Sequence, residues 1–211
     1  MELLFFIVGG LVSLYSFKIY KLSYQRESKI FGVGFLLISV SYLLRALITL
    51  FLFTKLEEGV RGIALDNLNL IGTLGVSIYM ALFTIGLITV LYTTFKIKCW
   101  QIYSLLVLIS LLIFKLCGNK TLSFYAFSTI LLFYICIHYA KEYIKYYNGK
   151  TALVFIAFTL LLLSTMGPIF SNTYNAYIIS DIMELGAYLL ITISLFWTIK
   201  KPSIIKRKTV E

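Results

Sequence analysis

The sequence predicts an all-α protein, a multi-pass transmembrane bundle of seven helices with its N-terminus outside and its C-terminus in the cytoplasm. Three observations lead there. Of its 211 residues 60% are hydrophobic and only 13% are charged, where soluble domains carry about 25%. The apolar residues gather in blocks of about twenty, the length that crosses a bilayer. Those blocks are continuous rather than alternating, which excludes a transmembrane β-barrel and leaves helices, whose backbone groups are satisfied within the segment.

The first block, 3–17, opens the chain with "MELLFFIVGG". It carries Glu2 where a cleavable signal would place Lys or Arg, so it reads as a retained membrane helix. The second block is 31–54 and the third, 67–95, is long enough to tilt or to project beyond the lipid. The fourth, 101–114, is the shortest and needs Lys115 to snorkel outward if it is to span. The fifth, sixth and seventh are 121–140, 151–170 and 177–199. No connection exceeds about thirteen residues, so 1–211 forms a single transmembrane domain followed by a short basic tail, 200–211. Helices one to three share their orientation with helices five to seven, an arrangement compatible with two three-helix units joined by helix four.

Orientation follows from the Lys and Arg distribution. The first, third and fifth connections and the tail hold fourteen: Lys18, Lys21, Arg26, Lys29, Lys96, Lys98, Lys141, Lys145, Lys150, Lys200, Lys201, Lys206, Arg207 and Lys208. The opposite side holds four, Lys55, Arg61, Lys115 and Lys120. That bias over short loops puts the fourteen in the cytoplasm. The net charge of +10 is explained by this rim, whose expected partner is anionic lipid headgroups on the lipid bilayer. No nucleic acid partner is implied. A cytoplasmic or membrane protein partner could dock on the same rim.

One letter in "SYLLRALITL" is out of place. Arg45 lies about 21 Å along the second helix, in the outer third of a ~30 Å core, with Ser41, Tyr42 and Thr49 on the same face. The seventh helix, "YIISDIMELGAYLL", carries Asp181 and Glu184 about 6 and 10 Å below its outer end, on a face that Tyr177 and Tyr188 extend. A buried cation and two buried anions at one level are expected to be partners, with Glu184 the closest to Arg45 in depth. Three readings follow: a cavity open to the outside, a pair that fixes helix docking, or an arginine that snorkels to the headgroups. Asp66, Asn67, Asn69 and Thr73, and Asn172, Tyr174 and Asn175, collect at the same outer level.

His138, the only histidine, sits near the cytoplasmic end of helix five and reads as a packing or headgroup contact. Without a second His or clustered Cys no metal site is implied. No cofactor motif, phosphate loop or nucleophile with its base is visible either. Cys99, Cys117 and Cys136 lie at different depths and read as reduced packing residues.

The topology resembles that of the microbial rhodopsins, but helix seven has no lysine before Lys200 and so lacks the retinal attachment point. It is also similar to that of small 3+1+3 sugar transporters, without their helix-kinking prolines. The run "QRESKIFGVGFLLISVSYLLRA" resembles uncharacterised seven-helix membrane proteins of archaea over one loop and one helix, which implies that fold and no activity. For function the sequence favours a receptor or sensor-like module of the cell membrane, binding a small ligand in its outer half. The expected site is Arg45, Asp181, Glu184, Tyr42, Tyr177, Tyr188 and Asn69. A small transporter or channel and a structural subunit of a membrane complex are the alternatives, and the transporter is disfavoured because the inner halves of helices four, five and seven read as almost wholly apolar.

Overall fold

In a computed structural model of the chain, the described residues are 1–57, 64–95, 100–116, 119–147, 149–170 and 174–200, without the side chains at 55–57, 64–71, 116, 146, 174 and 200. They form seven helices and no strand: α1 (Glu2–Ser23), α2 (Arg26–Glu57), α3 (Ala64–Thr94), α4 (Trp100–Leu116), α5 (Lys120–Tyr146), α6 (Gly149–Phe170) and α7 (Tyr174–Lys200). Most helices run several residues past their apolar blocks. Backbone hydrogen bonding does not stop where the apolar side chains stop, and Lys18 and Lys21 continue α1 while their long stems keep the charges at the polar boundary. Six helices are long and apolar enough to cross a membrane. The exception is α4, whose 17 residues span about 26 Å. The chain is an integral membrane helical bundle.

Helix order around the bundle is α1, α2, α3, α5, α6, α7 and back to α1, a closed ring of six, with α4 packed outside against α3 and α5. The chain thus lays down α1–α3 as one arc and α5–α7 as the other. Both α1 and α5 end on a tyrosine in the left-handed conformation, Tyr24 at φ 54° and Tyr147 at φ 46°, whose N–H closes on the carbonyl four residues back. We call the end where α1 begins the outer end, following the Lys and Arg distribution.

Small residues let neighbouring backbones meet. At the α2–α3 crossing a methyl group on Gly86 would stand 2.9 Å from the Gly34 carbonyl oxygen, and one on Gly34 would stand 3.1 Å from that of Gly86. Neither backbone can yield, so the crossing requires glycine on both sides. Between α1 and α2, Ser13 donates to the Gly32 carbonyl at 2.9 Å and Ser39 to the Phe6 carbonyl at 2.8 Å. Large apolar side chains such as Leu14, Leu50, Phe53 and Leu105 face outward. Apolar exposure on that scale is untenable in water and natural in lipid.

The core is a layer inside the ring. Phe35, Ile38, Phe83, Leu87, Leu132, Phe158 and Leu161 are each at most 4% exposed, and they surround a void of about 10 Å³. Val90, Thr165, Glu184 and Tyr188 complete its lining, and a space that small lies at the lower limit for a single water.

Candidate functional site

The outer site begins with Pro168. Lacking an N–H, it leaves the Ser164 carbonyl four residues back without its helical partner. The Ser180 hydroxyl of α7 donates to that oxygen. In lipid an orphaned carbonyl is costly, so this bond fixes α7 against α6 one residue before Asp181 and one turn before Glu184.

Glu184 accepts two phenolic hydrogen bonds on the same oxygen, Oε1, from Tyr42 of α2 and from Tyr188 at 3.3 Å. Tyr42 and Tyr188 are buried, and their rings meet edge to face at 6.3 Å. Phe5 of α1 stacks on Tyr42 at 4.9 Å. Glu184 is therefore held from α2 and from within α7, beneath an aromatic cover.

Arg45 does not meet Glu184 or Asp181, which corrects the expected pairing. Its Nε lies 2.8 Å from Glu2 Oε1, the one carboxylate that pairs with it among the described residues. Its Nη1 donates to the Tyr79 hydroxyl at 3.5 Å, and its guanidinium carbon lies 5.2 Å from the Tyr79 ring centroid. The ring order gives the physical reason. Helix α1 packs against both α2 and α7, whose backbones do not pack on each other among the described residues, so an α2 side chain at this level reaches the first turn of α1 first. The expected polar stripe also dissolves. Ser41 and Thr49 donate to backbone carbonyls of α2, and Tyr42 alone reaches across.

These residues border two recesses. Inside the ring a cavity of about 240 Å³ is lined by Tyr42, Arg45, Tyr79, Phe83, Phe124, Tyr125, Ser164, Thr165, Tyr177, Ser180, Asp181 and Glu184. Beside it a recess of about 510 Å³ runs between α1, α2 and the Asp181 turn, bordered by Glu2, Phe5, Arg45, Thr49 and Phe53. Tyr42, Arg45 and Asp181 line both. Of the seven expected residues, Arg45, Asp181, Glu184, Tyr42 and Tyr177 line these recesses, and Tyr188 reaches them only through its hydrogen bond to Glu184. The seventh, Asn69, has a side chain outside the described residues, as do Asp66, Asn67 and Tyr174, while Asn172 lies outside them altogether. Thr73 and Asn175 are exposed.

A second polar cavity lies at the inner end, where the sequence reading expected none. Its volume is about 290 Å³, and its lining comes from all six ring helices: Ser16 and Ile19, Glu27, Ser28 and Phe31, Thr93 and Thr94, His138, Tyr139 and Glu142, Val154, and Ile191 and Leu195. His138 is packed edge-on against Phe95 and Tyr139, and its Nδ1 is buried without a hydrogen bond. These residues are scattered along the chain at one to three per helix, so only the ring order collects them. The apolar layer separates this cavity from the outer one.

Among the described residues no group of three His, Cys, Asp or Glu side chains is arranged to hold a metal ion. Cys136 is a free, half-buried thiol, and Cys99 and Cys117 lie outside the described residues. No family model, curated protein or solved structure matches the chain.

Proposed function

We propose that the protein is a heptahelical carrier of the cell membrane, which takes a small solute into the outer cavity and releases it through the inner one. The supporting observation is a pair of polar cavities at opposite ends of one six-helix ring, about 240 and 290 Å³, with a single apolar layer between them. Six ring helices contribute to the inner cavity, so rocking one arc against the other would open one end while closing the other, the general logic of alternating access. The interfaces between the arcs are α3 with α5 and α1 with α7, while the paired glycines hold α2 and α3 together within one arc.

The receptor reading rested on an inner half without polar lining. Glu27, Thr93, Thr94, His138 and Glu142 supply that lining. One observation still favours a receptor, because the layer is closed by fully buried side chains and a ligand held above it meets no open path. Single-cysteine variants separate the two. With Cys99, Cys117 and Cys136 replaced by serine, Thr165→Cys reports on the outer cavity and Thr94→Cys on the inner. A carrier predicts that a membrane-impermeant maleimide labels each from its own side, and that a bulky adduct at either slows labelling at the other. Independent labelling of the two sites, or an inner site never labelled, would leave the receptor reading standing.

A further inference from the structure

We propose that the solute of the outer cavity is a small organic cation, an amine or a quaternary ammonium ion, held by Asp181 and Glu184 against aromatic faces. The inference rests on the reading of this cavity as a solute site.

Charge comes first. Among the described residues Arg45 is the only cationic side chain lining the cavity, Glu2 already holds it at 2.8 Å, and the N-terminal residue Met1 borders the adjoining recess. Asp181 and Glu184 form no ion pair among the described residues. The two phenols on Glu184 Oε1 are neutral donors and bring no opposite charge to it. Asp181 is half-buried and lines both recesses, so a solute entering from either reaches it. Arg45, engaged by Glu2, gives neither carboxylate a direct partner among the described residues, and a bound cation would supply one. An anion would have to displace Glu2 from Arg45 and then sit beside two carboxylates.

The walls supply an independent observation. Phe83, Phe124 and Tyr125 line the same cavity beside Tyr79, whose ring already carries the Arg45 guanidinium, and aromatic rings attract a desolvated ammonium group through their negative faces. A hard metal ion, which demands a shell of oxygens, makes no use of such faces. The volume, about 240 Å³, lies below the 300–1,000 Å³ range of pockets for drug-sized ligands, which selects a compact headgroup.

The test uses the Thr165→Cys chain, the impermeant maleimide and tetraethylammonium as the probe. At ten times its Kd the probe should slow labelling about tenfold, as expected for competition at one site. Asp181→Asn should abolish that protection while leaving the unprotected labelling rate unchanged; it removes a charge that makes no hydrogen bond among the described residues, so its folding is not in doubt if Glu184→Gln misfolds. Butyrate should give no protection. Labelling that tetraethylammonium leaves unchanged, or protection by butyrate that depends on Arg45, would overturn the assignment while the cavity reading stands. A Thr165→Cys chain that is never labelled would take down the cavity reading and this inference together.

Discussion

Arg45 of α2 is held by Glu2 of α1, with Nε 2.8 Å from Oε1, and among the described residues this leaves both carboxylates of α7 lining a cavity without an ion pair. The pair sits at the outer rim, its side chains 42% and 24% exposed. Exposed pairs contribute about 0–1 kcal/mol. Arg45→Ala also loses the Tyr79 contacts and should therefore lower stability by about 1–2 kcal/mol. A double-mutant cycle with Glu2→Gln should show a coupling of about 0–1 kcal/mol when unfolding is followed in mild detergent. A loss of about 3–5 kcal/mol, the cost of stranding a buried partner, would mean that Arg45 is tied to Glu184 after all.

The Ser180 hydroxyl should matter because of Pro168. Ser180→Ala leaves the Ser164 carbonyl unsatisfied, at a cost of about 1–3 kcal/mol. Replacing Pro168 with Ala restores a backbone donor four residues on. The loss from Ser180→Ala should then shrink in the Pro168→Ala background, as measured by a double-mutant cycle on unfolding. Equal losses in both backgrounds would show that the serine acts through packing alone.

Tyr42 and Tyr188 donate to one oxygen of Glu184. Tyr42→Phe crosses between helices, so it should lower stability by about 1–2 kcal/mol and weaken any ligand binding that depends on Glu184. Tyr188→Phe acts within α7 at a longer distance and should cost less. The two should be non-additive, because each remaining phenol can shorten its own bond.

The α2–α3 crossing tolerates no side chain. Gly86→Ala pushes a methyl group to 2.9 Å from the Gly34 carbonyl oxygen, which should cost about 1–3 kcal/mol by overpacking. Because the crossing lies at the apolar layer, a cysteine placed at Phe158, unreactive in the parent, should become open to maleimide in the Gly86→Ala chain. Unchanged protection would separate this crossing from the layer.

Helix number and position were legible in the sequence because lipid demands about twenty apolar residues per crossing, and six such blocks and a shorter seventh, 101–114, stand out. The depth of the charged level was legible too, since rise per residue converts sequence distance into height. Partner choice was not. Glu2 falls one residue before the first apolar block, and so it stood outside the set of membrane carboxylates from which a partner for Arg45 was drawn. The chain also does not state that α1 stands between α2 and α7. The inner cavity escaped for the same reason: Ser16, Thr94, His138 and Glu142 are unremarkable on their own helices and become a site only when the ring closes.

Passage of a cation from one cavity to the other is the central claim, and uptake into proteoliposomes tests it most directly. Purified protein in vesicles loaded with unlabelled tetraethylammonium should exchange it for external radiolabelled tetraethylammonium, saturably and faster than protein-free vesicles. Asp181→Asn and Glu184→Gln should reduce that exchange to background. Saturable binding at the outer cavity with no exchange above protein-free vesicles would contradict a carrier and identify the apolar layer as a permanent floor beneath a receptor site.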